Sequence, residues 1–336
     1  MSPDARYHSF PCRMPQAIFL DSGGVINDNS RRAPQWVYHL EQYMPTTRLG
    51  GPGKLWGEAN AILSDELFGS EEGLWNKFIA EAADFKSFYR TYCLYWMNGS
   101  IRLVNESLRR EHEQCKAIQG LEKASTENEP LQIASPETEA ELIEIAHKAH
   151  LYCTALVQAD YPGAVEAIMR LKFEQGFDMY TCSGEGANEL ELTFRTLGLS
   201  TLTPSTIASA VTQDAKQDLR PVFHKLYGPD LIDCHKGSSR FYEQIFRDSG
   251  VDPRNAVIVD DKEHILAWAK VHGARTVLIS NKNREGKEMM IEIEQVDEKD
   301  GKVRKITVPV VDHQLESLAQ LPDLTSSWRK HLDKES

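Results

Sequence analysis

Asp21 has the clearest potential for chemistry, because it follows the apolar run at residues 17–20 and is followed closely by Gly23 and Gly24. A carboxylate at the carboxyl end of a strand lies where open α/β sheets bind their ligands. In an alternative interpretation, Asp21 only ends the strand and the two glycines form a turn. Glycine at position 23 also means that no second carboxylate stands two residues after Asp21. The segment therefore provides a candidate nucleophile without an adjacent acid.

Ser183 and Lys236 are polar residues that precede predicted helices. Ser183 ends the strand-like segment 176–182, and an apolar periodicity typical of a helix follows it. A hydroxyl beside a helix amino terminus suits an anion. Lys236 precedes Gly237 and two serines that can cap the next helix, and its ammonium can neutralise a phosphate oxygen as a compact charge. Both residues are therefore candidates for binding an anionic group.

Asp260 and Asp261 follow the apolar run at residues 256–259, which is typical of a buried parallel strand. Two adjacent carboxylates at the end of such a strand repel each other unless a lysine or a cation lies between them. The pair is therefore a candidate for metal binding.

The order of these positions, an aspartate, a serine, a lysine and an acidic pair, resembles the four sequence motifs of the haloacid dehalogenase (HAD) superfamily. The resemblance covers about residues 14–30 and 160–280, although motif one is atypical because it reads Asp-Ser-Gly-Gly-Val. Residues 161–165 also fit, since they open a helix before the second motif. The resemblance implies a Rossmann-like α/β core with a parallel sheet and an all-helical cap domain inserted after the first strand.

The resemblance further implies that Asp21 is the catalytic nucleophile and that Ser183 and Lys236 hold the transferring phosphoryl group. These three residues form the predicted catalytic set. A small phosphorylated metabolite is the substrate class that the resemblance implies.

A magnesium ion is the cofactor implied by the resemblance, with Asp21, Gly23, Asp260 and Asp261 as its ligands. Magnesium prefers hard oxygen ligands in an octahedron and usually takes one or two carboxylates together with water and substrate oxygens. Because Gly23 would contribute its backbone carbonyl, the loss of a side chain at this position is compatible with the metal.

Proton transfer is the step that Gly23 puts in question, since the resembling phosphatases carry an acid at this position. A general acid or base contributes roughly two to four powers of ten in rate. Asp28 could serve as a displaced acid, although an ordinary turn or helix-cap role also fits it. Ile265 is a second departure, because many relatives have an acidic or amide residue there, a role that nearby Glu263 or the acidic pair could cover.

The change in periodicity along the chain predicts two domains. Residues 14–30 and 160–336 are predicted to form the catalytic core, and residues 31–159 the helical cap. Histidines 39, 147 and 150 within this insert are expected to be structural rather than catalytic. Four of the six tryptophans also lie there, which favours an aromatic core or a pocket for an apolar substrate: Trp36, Trp56, Trp75 and Trp96.

Two segments look like additions to the core. Residues 289–310 alternate around Asp300 and Gly301, which predicts a hairpin insertion in the core over residues 284–310. Residues 200–229 have few periodic apolar positions and predict a long loop before a strand at residues 231–234.

The composition argues against several classes of protein. A net charge of −12 argues against a general nucleic-acid or anionic-membrane surface. No apolar run approaches the length of a membrane span. The six cysteines are scattered along the chain, which argues against a disulfide framework or a zinc cluster: Cys12, Cys93, Cys115, Cys153, Cys182 and Cys234. Reduced thiols are the ordinary state of cysteine in the cytoplasm, which is therefore the expected location.

We expect a HAD-like hydrolase that removes a phosphoryl group from a small metabolite through an aspartyl intermediate with magnesium. Two alternatives stay open at this point. One is a catalytically impaired pseudoenzyme that binds a phosphorylated ligand or partner. The other is carbon–phosphorus, carbon–halogen or diphosphate and terpene chemistry on the same fold. The sequence leaves the substrate identity and the oligomeric state undetermined.

Overall fold

The structure is a computed structural model, and it describes residues 14–69, 73–118, 132–134, 136, 138–199, 222–280, 289–296 and 303–335. The chain divides into two compact units. The sheet unit comprises the described residues within 1–28, 160–190 and 197–336, and the helical unit comprises those within 29–159 and 191–196.

The sheet unit is built on six parallel strands: β1 (Ala17–Leu20), β2 (Asp178–Cys182), β3 (Lys225–Tyr227), β4 (Ala256–Asp260), β5 (Arg275–Ile279) and β8 (His313–Leu315). They lie in the order β3-β2-β1-β4-β5-β8. Every residue of β1 and β4 is buried, which explains why both strands are continuous apolar runs rather than alternating patterns.

The helices of the sheet unit are α6 (Ala164–Met169, continued by a π-helical turn at Arg170–Glu174), the start of α7 (Ala187–Thr196), α8 (Pro229–Ile232), α9 (Ser239–Ser249), α10 (Glu263–Lys270) and α11 (Leu321–Glu335). Local sequence explains the bounds of α9. The Ser238 side chain accepts a hydrogen bond from the Phe241 amide at its start, and Gly250, with a φ of 70°, ends it. Its buried face, together with Phe19 and Ile258, forms part of one apolar cluster on the sheet.

The strand predicted at residues 231–234 is wrong. The structure has β3 at Lys225–Tyr227, inside the predicted loop, and the short helix α8 at Pro229–Ile232. Proline favours the first helical position, and the following Asp233 has a φ of 49°, which no strand residue adopts. Residues 200–221 of the predicted loop lie outside the described residues.

A two-stranded antiparallel sheet, β6 (Met290–Val296) with β7 (Val303–Pro309), lies between β5 and β8 in the chain. Ile293 pairs with Ile306 in its centre, and Ile291 packs against the core of the sheet unit. The turn predicted at residues 300–301 lies outside the described residues.

The helical unit contains α1 (Asn29–Tyr43), α2 (Gly53–Phe68), α3 (Leu74–Glu81), α4 (Phe85–Ile118) and α5 (Glu139–Leu156). Trp56 and Trp96 are buried in its core, where the Trp96 indole donates to the side-chain oxygen Oδ1 of Asn60 at 3.1 Å. Among the helices described, none combines the length and apolarity needed to cross a membrane.

Candidate active site

The register of the sheet brings Asp21, Asp260 and Ser183 to one edge. Leu20 lies opposite Val259 in the ladder, and the Asp21 amide donates to the Val259 carbonyl at 3.0 Å. Because parallel strands end at the same edge, Asp21 and Asp260 are cross-strand neighbours, and Ser183 follows the adjacent strand β2. This edge is where open parallel sheets bind ligands.

Lys236 joins the two carboxylates. Its Nζ atom lies 2.8 Å from Asp21 Oδ2 and 2.7 Å from Asp260 Oδ2. The lysine is 6% exposed and lies on the loop between α8 and α9. Burial alone would lower the pKa of Lys236, but the attraction of Asp21 and Asp260 outweighs it and raises the pKa. The site therefore contains a permanent ammonium group.

Burial at this edge of the sheet destabilises the ionised form of the carboxylates. Burial raises the pKa of Asp21 to about 6, and although Lys236 opposes the shift, Asp260 adds to it. Burial is also the main cause that raises the pKa of Asp260 and of Asp261. Oxygen atoms of Asp21, Asp260 and Asp261 lie within 4.8 Å of one another. Three carboxylates beside one ammonium group leave an excess of negative charge that a cation would stabilise.

Asp261 packs against the turn that follows the nucleophile. Gly24 has a φ of 82°, and a Cβ atom there would lie 2.2 Å from Asp261 Oδ2. The Asp261 Oδ1 atom is buried and has no hydrogen-bond partner among the described residues. Gly24 is thus required both for the backbone conformation and for the position of Asp261, whereas Gly23 lies outside the left-handed region.

The same turn is held by residues that the sequence analysis did not select. The Ser22 carbonyl accepts from the amides of Ile26 and Asn27, and the Asn27 side chain donates to the Ser22 hydroxyl at 3.2 Å. Asn27 also forms an antiparallel bridge with Asp160, and the Tyr161 amide donates to the Ile26 carbonyl at 2.8 Å. The signal that could have identified this support is an asparagine directly after the apolar residues at positions 25–26, because a polar side chain that is buried there needs hydrogen-bond partners.

No protein-family model and no curated protein matches the sequence. Among solved structures, YfnB from Bacillus subtilis, assigned as a HAD-hydrolase and bound to magnesium, aligns with a TM-score of 0.52 at 13% identity, covering 94% of this chain and 100% of that chain. A 2-haloacid dehalogenase from Pseudomonas syringae pv. Tomato DC3000 aligns with a TM-score of 0.50 at 13% identity, with the same coverage. This chain has the HAD fold. The Rossmann-like core with helices inserted after its first strand is thereby confirmed, and at this identity the likeness shows the fold alone.

Ser183 lies at the expected end of β2 in this HAD fold and is buried. Its hydroxyl accepts a hydrogen bond from the Glu185 amide at 3.2 Å. The amino terminus of α7 is already occupied by a carboxylate, because both Asp230 oxygens accept from the Ala187 amide at 2.9 and 3.1 Å. The helix terminus that suggested an anion site is therefore neutralised from within the protein, and the hydroxyl itself is the group left to bind an anion.

Ile265, where the resemblance suggests an acidic residue, and Glu263, which could replace it, both make contacts of another kind. Ile265 packs in the apolar core, and the Glu263 carboxylate accepts from the Met289 amide at 3.2 Å. Within the helical unit, the ring of His150 contacts the Tyr92 hydroxyl at 3.2 Å, and burial lowers the pKa of His150 to about 4. These contacts agree with structural roles for Ile265 and His150.

Proposed function

We propose that this protein is a magnesium-dependent hydrolase that removes the phosphoryl group from a small phosphorylated metabolite through an aspartyl-phosphate intermediate. One observation carries the proposal: Lys236 lies between Asp21 and Asp260, with the Asp261 carboxylate within 4.8 Å of both aspartates. A candidate nucleophile, a buried ammonium group and candidate metal ligands thus lie at one edge of the sheet.

The chemistry of the donor set fits magnesium. Asp21, Asp260 and Asp261 provide hard carboxylate oxygens, and the buried Asp261 Oδ1 has no hydrogen-bond partner among the described residues. The Gly23 carbonyl is the proposed fourth ligand. A bound magnesium ion would neutralise charge on the phosphoryl oxygens during transfer.

Charge balance favours phosphoryl transfer over carbon–halogen cleavage. Three ionised carboxylates and one ammonium group give the edge a formal charge of about −2, which repels a phosphate dianion until a divalent cation is bound. A carboxylate that displaces a halide from carbon forms no charged phosphoryl oxygens for a hard cation to stabilise. Three converging carboxylates are therefore better matched to a phosphorylated substrate.

In the proposed reaction, an Asp21 carboxylate oxygen attacks phosphorus, the bond to the leaving oxygen breaks, and the electron pair departs with that oxygen. Lys236 and the Ser183 hydroxyl hold the transferring oxygens. Water then attacks the phosphorus of the intermediate, releases inorganic phosphate and restores the Asp21 carboxylate. Gly23 provides no proton for the leaving group, so a weakly basic leaving group is favoured.

The test is a screen of the purified protein against phosphate esters, acyl phosphates, phosphonates, diphosphates and haloacids, with and without magnesium. We expect magnesium-dependent phosphate release that is abolished in Asp21→Asn. Halide release without magnesium would instead assign carbon–halogen chemistry. Tight binding of phosphorylated compounds without turnover of any substrate would make the protein a binding protein, and undiminished turnover in Asp21→Asn would contradict the covalent mechanism.

A further inference from the structure

His235 precedes the buried Lys236 in the loop between α8 and α9, and it fixes the backbone on both sides of that lysine. The peptide group that follows Lys236 is held by the His235 ring, because the Gly237 amide donates to His235 Nδ1 at 3.2 Å. The peptide group that precedes Lys236 is held through its carbonyl, since His235 O accepts from the Ser238 hydroxyl at 3.1 Å. Both peptide groups that flank the lysine are therefore fixed by side chains of the same loop.

The contact with Gly237 determines the protonation state of the His235 ring. An imidazole nitrogen accepts a hydrogen bond only when it carries no proton, so the ring proton lies on Nε2. Burial, and then the positive charge of Lys236, lowers the pKa of His235 to about 4, which keeps the ring neutral near pH 7. His235 is thus a hydrogen-bond acceptor for the loop at neutral pH.

The proposed reaction changes what holds the Lys236 ammonium group. Before the reaction, its Nζ atom lies 2.8 Å from Asp21 Oδ2 and 2.7 Å from Asp260 Oδ2. When Asp21 forms a bond to phosphorus, its carboxylate gives up negative charge, and its attraction for the ammonium group weakens. Because the lysine stem is flexible, the ammonium group then depends on Asp260 and on the backbone of Lys236 to stay beside the transferring oxygens.

We propose that His235 is a positioning residue for Lys236, with the His235 Nδ1 atom holding the loop that keeps the ammonium group on the transferring phosphoryl group. This inference rests on the proposed function and deepens it. Displacement of a reacting group by about 1 Å can cost roughly 100-fold in rate. The backbone anchor matters most in the transition state, where Asp21 holds the ammonium group least, so loss of the His235 contact should lower kcat more than it changes KM.

The test compares His235→Leu with His235→Asn. The asparagine Oδ1 atom is as many bonds from the backbone as His235 Nδ1 and can accept from the Gly237 amide, whereas leucine has no acceptor. In His235→Leu, kcat for 4-nitrophenyl phosphate with magnesium should fall by about tenfold or more, with KM changed by less than about threefold. His235→Asn should recover most of kcat, and both variants should keep the magnesium-induced rise in Tm.

Acetylation by acetic anhydride reports the position of Lys236 independently of turnover. A buried ammonium group between two carboxylates should react slowly, and Lys54, whose side chain is 82% exposed, is the reference within each sample. Peptide mass spectrometry gives the ratio of acetylation at Lys236 to that at Lys54. This ratio should rise by about tenfold in His235→Leu, which corresponds to about one pKa unit, and stay near the wild-type value in His235→Asn.

The two measurements separate failure of this inference from failure of the proposed function. Equal effects of both substitutions on kcat and on acetylation would overturn the inference, because only leucine removes the acceptor. A loss in His235→Leu that lies in KM alone would also overturn it. If the wild type hydrolyses no phosphate ester, the proposed function fails, and the acetylation ratios alone decide whether His235 positions Lys236.

Discussion

The carboxylate of Asp261 occupies the space where a side chain at Gly24 would begin, since a Cβ atom there would lie 2.2 Å from Asp261 Oδ2. These two residues come from different motifs, one after β1 and one after β4. Their contact couples the shape of the turn behind the nucleophile to the position of a proposed metal ligand.

Gly24→Ala is expected to lower the free energy of unfolding by about 1–3 kcal/mol, because alanine is strained at a φ of 82° and its methyl group displaces Asp261. Gly23→Ala is the matched control, since Gly23 lies outside the left-handed region, and a smaller decrease in the free energy of unfolding is expected. Urea unfolding of both variants measures the difference. Equal losses in the two variants would contradict the structural role of Gly24.

Wild-type protein should cleave acyl and aryl phosphates much faster than alkyl phosphates, because an alkoxide is a far stronger base than a carboxylate or a phenolate. Gly23→Asp should then raise alkyl-phosphate turnover by supplying the acid that this position lacks. Steady-state rates on a series of phosphate monoesters test both statements. A flat dependence on leaving-group pKa, with chemistry limiting the rate, would show that another group donates the proton.

Magnesium at millimolar concentration should raise the Tm, because a ligand that binds only the folded state stabilises it. The double variant Asp260→Asn, Asp261→Asn should abolish this rise, since it removes two of three converging carboxylates. Asp252→Asn is the control, because Asp252 is paired with Arg254 and caps the 3₁₀ turn before β4. An unchanged wild-type melting curve would refute the magnesium site.

His150 should make stability depend on pH. Burial holds its pKa at about 4 in the folded state, below the ordinary value of 6.5. At pH 7 the ring is largely neutral in both states, whereas below pH 6.5 the unfolded chain binds a proton that the folded protein does not. The free energy of unfolding should therefore fall by at most about 2 kcal/mol between pH 7 and pH 5 from this residue. Urea unfolding of His150→Gln should show a shallower decline, and parallel declines would exclude the assignment.

The buried pair of Lys270 and Asp312 should contribute more to stability than an exposed pair. The Lys270 Nζ atom contacts both Asp312 oxygens at 2.5 and 2.6 Å, and the lysine side chain is 2% exposed. Lys270→Met leaves a largely buried carboxylate and should cost about 3 kcal/mol. Lys305→Met breaks the exposed pair with Glu292 and should cost less than about 1 kcal/mol. Similar losses in chemical denaturation would be inconsistent with this difference in burial.

Much of the fold could be predicted from the sequence, because strands buried on both faces are short continuous apolar runs. Residues 17–20 and 256–259 are such runs, and each is followed by an aspartate that the parallel register brings to one edge. β3 could not be predicted in this way, since only three residues form it, and the apolar residues of the neighbouring α8 resemble a strand. Local patterns of that length do not distinguish a strand from a helical turn.

The identity of the candidate nucleophile, lysine and acidic pair followed from residue types and their order along the chain. Which atoms meet was decided only by tertiary structure. Lys236 reaches both Asp21 and Asp260, and Asp261 packs on Gly24, although these residues are far apart in the sequence. Such contacts depend on the path of loops and on strand register, and the continuous apolar runs at residues 17–20 and 256–259 have no alternation from which a register could be derived.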